Sequence, residues 1–164
     1  MANPTAAIVS RSLRLLERKE RTVSEIRKYF SARGEDPEAI EDAVSRLSQM
    51  GLLDDSRYAQ RYIDGPARHK GYGRARIYRE LLARGVDGDL VQEALEECHD
   101  KEAEFELLVK AGRRKWEELV RSGVPEEKVC ARLYAHLGRR GFSQRGIMRF
   151  IEELGELPGG DRRD

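Results

Sequence analysis

The sequence has only two cysteines and no long apolar run. Cys98 and Cys130 are too few for a disulfide framework, and we expect both to be reduced thiols in a cytoplasmic protein. A membrane-spanning helix needs about 18–20 consecutive apolar residues, and no stretch approaches that length. The N-terminal "MANPTAAIVSRSLRLLERKE" lacks a basic segment followed by an apolar one, so we expect neither a secretion signal nor a membrane partner.

Aromatic residues are also scarce, at 7% of the chain, whereas charged residues make up 37%. A single compact core would normally need more large apolar side chains than this, so we expect a helical, surface-rich protein. The length of 164 residues allows one ordinary domain or two or three small modules.

Motifs of catalysis and metal binding are missing as well. The sequence contains no G-x-S-x-G, no H-E-x-x-H and no pair of carboxylates beside an isolated histidine. Cys98 and His99 are adjacent and diverge around a helix, and Cys130 and His136 do not restore a zinc-finger spacing. The "GYG" at 71–73 is followed by no Gly-Lys-Ser/Thr, which argues against a nucleotide-binding loop. We therefore expect no enzyme activity, no metal and no cofactor.

Helix signals run through the whole chain. Thr22 and Glu25 form a capping box in "TVSE", and Asp36 and Pro37 suit the N-cap and the first turn of the next helix. Apolar residues recur every three or four positions, and no segment alternates as a strand would. The sequence therefore predicts an all-α protein.

Three stretches repeat the same pattern. Residues 75–95 align without gaps on residues 24–44, and residues 131–151 follow the same frame. In each copy an Arg-Gly pair ends the middle helix, where glycine allows the left-handed backbone and a cation favours the helix dipole. With one more helix before each copy, the sequence predicts three tandem three-helix modules in an elongated, curved helical array. The predicted bounds are 1–53, 54–100 and 101–155, followed by a disordered tail at 156–164.

The net charge of only +1 hides a strong segregation of charge along the chain. Residues 57–85 hold eight basic and two acidic residues, whereas residues 35–56 carry a net charge of −6 and residues 86–106 a net charge of −8. Segregation on this scale can give a surface of one sign on a nearly neutral chain.

We expect the basic stretch to form a binding patch whose side chains pair with phosphates or carboxylates. Ile77 and Leu81 form the core face of their helix, which leaves Arg76 and Arg79 to point outward. The alternative is an ordinary solvated face that balances the acidic helices. The predicted patch consists of Arg57, Arg61, Arg68, Lys70, Arg74, Arg76 and Arg79.

Tyr72 lies in "KGYG", within the same stretch. Its ring could stack on a base or contact a protein partner, or it could be a buried anchor of the loop. The run 113–115 either adds to a second contact patch in module three or lies over Trp116. That second patch is predicted at Arg132, Arg139, Arg145 and Arg149.

Residues 51–86, "GLLDDSRYAQRYIDGPARHKGYGRARIYRELLARGV", resemble the signature of the RecX family. The resemblance rests on "LLDD", the Tyr-Ala and Tyr-Ile pairs that follow it, "KGYG" and the final "RG-V". The C-terminal "RRGFSQRGIMRFIEEL" resembles the end of that family, and three tandem three-helix modules match its architecture. One departure is Gly65-Pro66, which we expect to end or kink the first helix of module two.

The resemblance implies a function. Proteins of the RecX family bind in the groove of the RecA–DNA filament, span neighbouring subunits and limit filament growth, ATP hydrolysis and strand exchange. They thereby modulate DNA repair, recombination and the SOS response without catalysis of their own, and some bind DNA directly. For this chain the resemblance implies RecA filaments and single- or double-stranded DNA as partners, and we expect it to act as a monomer.

Two other functions fit the sequence. Short helices with tight glycine turns also suit a general DNA-binding, helix-turn-helix-like transcription regulator, although basic residues recur in every module rather than on one recognition helix. A helical solenoid that binds only protein would instead show no salt-sensitive DNA binding.

Overall fold

The computed structural model describes residues 3–155, and within that range every regular element is helical. The predicted all-α fold is confirmed. A π-helical segment, Ile63–Ala67, joins the fourth helix to the fifth. The predicted tail at 156–164 lies outside the described residues. The helices are α1 (Pro4–Arg18), α2 (Val23–Ser31), α3 (Pro37–Gln49), α4 (Asp55–Tyr62), α5 (Arg68–Lys70), α6 (Arg74–Ala83), α7 (Gly88–Cys98), α8 (Lys101–Arg121), α9 (Glu126–Arg139) and α10 (Gln144–Gly155).

The predicted helix starts are confirmed at α2 and α3. The hydroxyl of Thr22 accepts the backbone N–H of Glu25 at 3.1 Å, and the Glu25 carboxylate accepts the N–H of Thr22 at 3.2 Å. The carboxylate of Asp36 accepts the N–H of Ala39 at 2.9 Å, and Pro37 occupies the first turn of α3. These contacts satisfy N–H groups that have no partner inside their own helix.

The glycines of the three Arg-Gly pairs adopt the predicted left-handed backbone. Their φ angles are +72° at Gly34, +79° at Gly85 and +86° at Gly141. At Gly141 a second constraint applies, because a Cβ there would lie 2.3 Å from the backbone nitrogen of Arg76. A side chain at this position would therefore be strained by its φ angle and would also collide with α6.

Gly65 and Pro66 were expected to end or kink the first helix of module two. They do not end it, so that part of the expectation is wrong. Both residues lie in the π-helical segment Ile63–Ala67, and α5 follows it directly. In a regular α-helix the proline ring would collide with the carbonyl four residues earlier, and a π-helical turn changes that register. The helical stretch ends at Gly71, which has a φ of +63°.

The described chain divides into two compact units. The first unit comprises residues 3–62 and 80–94. Its core forms where α1 and α2 pack on α3. Burying a large aliphatic or aromatic side chain contributes about 1.5–3 kcal/mol, so this core accounts for much of the unit's stability. The large buried side chains are Ile8, Ile26, Phe30, Ile40, Val44, Leu47 and Leu53.

The second unit comprises residues 63–79 and 95–155. Its α8 packs on α9 and α10, and α10 also packs on α9. The first of two buried clusters contains Leu108, Leu137, Phe142, Ile147 and Phe150. The other contains Leu119, Val129 and Leu133.

The module boundaries after residues 53 and 100 stay a prediction. No helix among residues 3–155 is both long enough and apolar enough to cross a bilayer.

Candidate functional site

The first unit carries Arg57 and Arg61 of the predicted patch, both exposed on α4. One guanidinium nitrogen of Arg57 donates to the carbonyl of Gly51 at 2.5 Å. Arg61 forms an ion pair with Glu20, and 63% of its side chain remains exposed. An exposed ion pair of this kind contributes about 0–1 kcal/mol, so Arg61 can exchange Glu20 for another anionic partner.

Arg84, the cation of the second Arg-Gly pair, was predicted in the last turn of its helix, but it directly follows the last residue of α6 and has a further role. Its guanidinium donates to the hydroxyl of Tyr58 and lies 4.6 Å from the ring centroid of Tyr62. Burial opposes its charge, but the hydrogen bond to Tyr58 and the electrostatic interactions with Tyr58, Tyr62 and Glu25 prevail, so the pKa of Arg84 is raised. The hydroxyl of Thr22 donates to the Arg84 carbonyl at 2.7 Å, which ties α2 to the end of α6.

Two adjacent acids, Asp54 and Asp55, lie at the start of α4, and each accepts a hydrogen bond from a backbone N–H. Asp54 caps α4 by accepting the N–H of Arg57 at 2.9 Å. Asp55 accepts the N–H of Val23, the first residue of α2, at 2.9 Å. Burial is the main reason that the pKa of Asp55 is raised. The spacing of two adjacent acids gave no signal for this second contact, because it joins residues far apart in the sequence.

In the second unit, Arg68, Lys70 and Arg79 are exposed. Arg68 pairs with Asp64 at 3.0 Å, one helical turn away. Arg79 makes a hydrogen bond of 3.3 Å to the carbonyl of Ala75, and it points outward as predicted. These three cations are accessible to a partner.

Arg74 and Arg76 are only partly exposed, because each has an intramolecular role. The guanidinium of Arg74 donates to the carbonyls of Leu95, at 2.8 Å, and of His99, and so satisfies the end of α7. The expectation that Arg76 points freely outward is wrong. Its guanidinium lies 4.0 Å from the ring centroid of Tyr72, a cation–π contact.

The "KGYG" stretch is anchored on the end of α9. The N–H of Gly73 donates to the carbonyl of Arg140 at 2.8 Å, and the N–H of Ala75 donates to that of Gly141 at 3.2 Å. A Cβ on Gly73 would lie 2.5 Å from the carbonyl carbon and oxygen of Gly141. Glycine is therefore required here by close backbone approach, and Tyr72 is half-buried beside it.

The second predicted patch is distributed over α9 and α10. Arg132, Arg139 and Arg145 are exposed. Arg149 is exposed too, but it pairs with Glu153 at 2.9 Å and lies 4.0 Å from the ring centroid of Phe105. The site residues as a set stay a prediction.

No group of three or more metal-ligating side chains comes together within residues 3–155. Cys98 and Cys130 are free thiols. His99 is buried, and burial, followed by the charges of Arg74 and Arg68, lowers its pKa.

Comparison with known proteins identifies the family. Residues 10–47 match the model of the first three-helix domain of RecX, and residues 54–95 match that of the second. Regulatory protein RecX of Yersinia enterocolitica is 33% identical to the chain over 91% of its length and 98% of the relative. The chain belongs to the RecX family. RecX of Deinococcus radiodurans is 30% identical, over 92% of this chain and 70% of the relative.

Solved RecX structures share the fold. The crystal structure of RecX from Lactobacillus salivarius matches with a TM-score of 0.83 at 20% identity, covering 94% of this chain and 98% of that one. A second crystal structure, of a regulatory protein RecX, matches with a TM-score of 0.79 at 23% identity, covering 91% and 72%. The family resemblance predicted from residues 51–86 is thus confirmed, and the relatives are regulatory proteins by name.

Proposed function

We propose that this RecX chain is a non-enzymatic regulator that binds in the groove of the RecA–DNA filament. There it inhibits filament growth, ATP hydrolysis and strand exchange, and so modulates DNA repair, recombination and the SOS response. The observation that carries the proposal is the match to a regulatory protein RecX over 91% of this chain and 98% of the relative.

Exposed cations support the same function. Arg57 and Arg61 in the first unit, and Arg68, Lys70 and Arg79 in the second, offer donors suited to DNA phosphates or to carboxylates of the filament. Three linked modules, each with its own contacts, would raise the overall affinity through effective concentration. Arg74 and Arg76 contribute by holding the surface in shape, since their side chains already bind within the chain.

The function is tested by RecA's ATP hydrolysis on single-stranded DNA. RecA filaments are formed first, and the chain is then titrated in at substoichiometric amounts. A progressive fall in hydrolysis is expected, because one bound regulator would limit the growth of a filament that contains many RecA subunits. Unchanged hydrolysis over the whole titration would refute the proposal.

The charge reversal Arg79→Glu tests whether Arg79 lies on the surface that contacts the RecA filament. Arg79 is exposed and holds only a weak contact within its own helix, so its reversal should leave the fold intact. Arg121→Glu, also at an exposed helical arginine of the second unit, is the matched control. We expect inhibition of RecA to weaken for Arg79→Glu alone. Equal inhibition by the two variants would remove Arg79 from the interface.

A further inference from the structure

A basic cavity of about 300 Å³ lies in the second unit, between the end of α5 and the sides of α8 and α9. This volume is at the lower end of the roughly 300–1,000 Å³ that small-ligand sites occupy. Two histidines also line it, and Glu118 is the one acid among its lining residues. The cationic lining side chains are Arg68, Lys70, Lys110, Arg114, Lys115 and Arg140.

Most of this positive charge has no counter-ion within the chain. Glu118 pairs with Lys115 at 2.6 Å, so the single acid in the lining already has a cationic partner. Lys70, Lys110 and Arg114 have no ion-pair partner among residues 3–155. Like charges held close together repel one another, and a bound anion would relieve that repulsion.

The cavity wall is held in place by hydrogen bonds. Arg140 donates to the carbonyls of Lys70 and, at 3.4 Å, Gly71. Its Nε also donates to Nε2 of His136 at 3.0 Å, so the neutral imidazole carries its proton on Nδ1. A cavity whose wall is held in place beforehand needs less rearrangement when a ligand binds.

The pKa of His136 depends on its burial and on the charges around it. Burial lowers the pKa of His136, and the charges of Arg140, Lys115 and Arg139 lower it further, with Glu118 acting in the opposite direction. An anion bound beside the imidazole would favour the protonated form and raise this pKa again.

We propose that this cavity binds a phosphate group, with Lys70, Lys110 and Arg114 as its main donors. Ammonium and guanidinium groups are the side chains that proteins use most for phosphate. No Phe, Tyr or Trp side chain lines the cavity, so the imidazoles of His69 and His136 are the only rings in its lining. The phosphate can come from a nucleic-acid backbone or from a free nucleotide. The inference does not rest on the proposed action on RecA.

The first test follows the three histidines of the full chain by NMR while inorganic phosphate, ATP or a single-stranded oligonucleotide is added. His69 and His136 line the cavity, whereas His99 is buried outside its lining. We expect the signals of the first two to move and the pKa of His136 to rise, with His99 unchanged. A response at lower concentration of oligonucleotide than of ATP assigns the backbone as the source, and the reverse order assigns a nucleotide. No response to any probe, or an equal shift of all three histidines, overturns the proposal.

The second test reverses two cavity charges and compares them with two outside it. Lys110→Glu with Arg114→Glu alters the cavity, and Lys128→Glu with Arg121→Glu makes the same change at exposed helical positions elsewhere in the unit. We expect the cavity variant to bind the better probe at least about tenfold more weakly, since a lost charge-assisted hydrogen bond has that effect. The control should lose little. Equal losses in both variants, with circular dichroism unchanged, would show a general charge effect and refute the site.

Discussion

Gly112 lies in the middle of α8, where helix propensity and packing favour different residues. A Cβ at this position would lie 2.3, 2.6 and 2.9 Å from the Cε1, Cζ and Cδ1 atoms of Phe150. Phe150 is 2% exposed, and its ring is enclosed by the cluster that includes Leu108 and Leu137. The ring therefore has no open space into which it can retreat, and Gly112→Ala forces α8 and α10 apart.

Two opposing magnitudes decide the sign of this substitution. Alanine is favoured over glycine inside a helix by about 0.8–1 kcal/mol. Forcing an extra methyl group into a packed core costs about 1–3 kcal/mol. Because three ring atoms are affected at once, we expect a cost in the upper part of that range and a net destabilisation of about 1–2 kcal/mol.

Urea denaturation of the full chain measures the change, with Gly138→Ala in α9 as the matched control. A Cβ on Gly138 would meet no atom within 4 Å, so this variant should be neutral or up to about 1 kcal/mol more stable. Phe150→Leu should relieve the effect of Gly112→Ala, with a coupling of at least about 0.5 kcal/mol in the double mutant. A Gly112→Ala variant as stable as Gly138→Ala would refute the packing argument.

Three further predictions concern other contacts. Gly73→Ala should destabilise the second unit by about 1–3 kcal/mol, since its Cβ would collide with the Gly141 carbonyl, and hydrogen exchange of the Ala75 amide should speed up. Arg84→Met should cost about 1–3 kcal/mol by leaving the Tyr58 hydroxyl without its donor, and an equally stable variant in urea would contradict this. His99 is buried and its pKa is lowered, so the unfolded chain binds a proton at this histidine more readily than the folded chain does. The free energy of unfolding should therefore fall as the pH drops below about 6.5. Denaturation midpoints measured between pH 5 and 8 should show a smaller fall for His99→Leu.

Local signals predicted the helices well. The capping residues Thr22 and Asp36 were recognisable because a cap is made between residues three positions apart. The left-handed glycine after each middle helix was predicted from an equally local signal, the Arg-Gly pair. Such features depend on the chain's immediate neighbours and need no knowledge of how helices pack.

The roles of individual arginines were harder to predict. Arg74, Arg76 and Arg84 belong to the basic stretch by sequence, yet each binds a carbonyl, a hydroxyl or an aromatic ring of its own chain. These partners lie in other helices or across a turn, so charge spacing along one helix gave no signal for them. The cavity lined by Lys110 and Arg114 was missed for the same reason, since it forms only when α5, α8 and α9 meet.

The central claim is that the target is the RecA filament rather than DNA alone. Binding of the chain to a biotinylated single-stranded oligonucleotide, bare or coated with RecA and a non-hydrolysable ATP analogue, tests it directly by biolayer interferometry at physiological salt. The account predicts clearly tighter binding to the RecA-coated strand, with salt-sensitive binding to the bare strand. Equal or tighter binding to bare DNA would contradict it and favour a general DNA-binding protein.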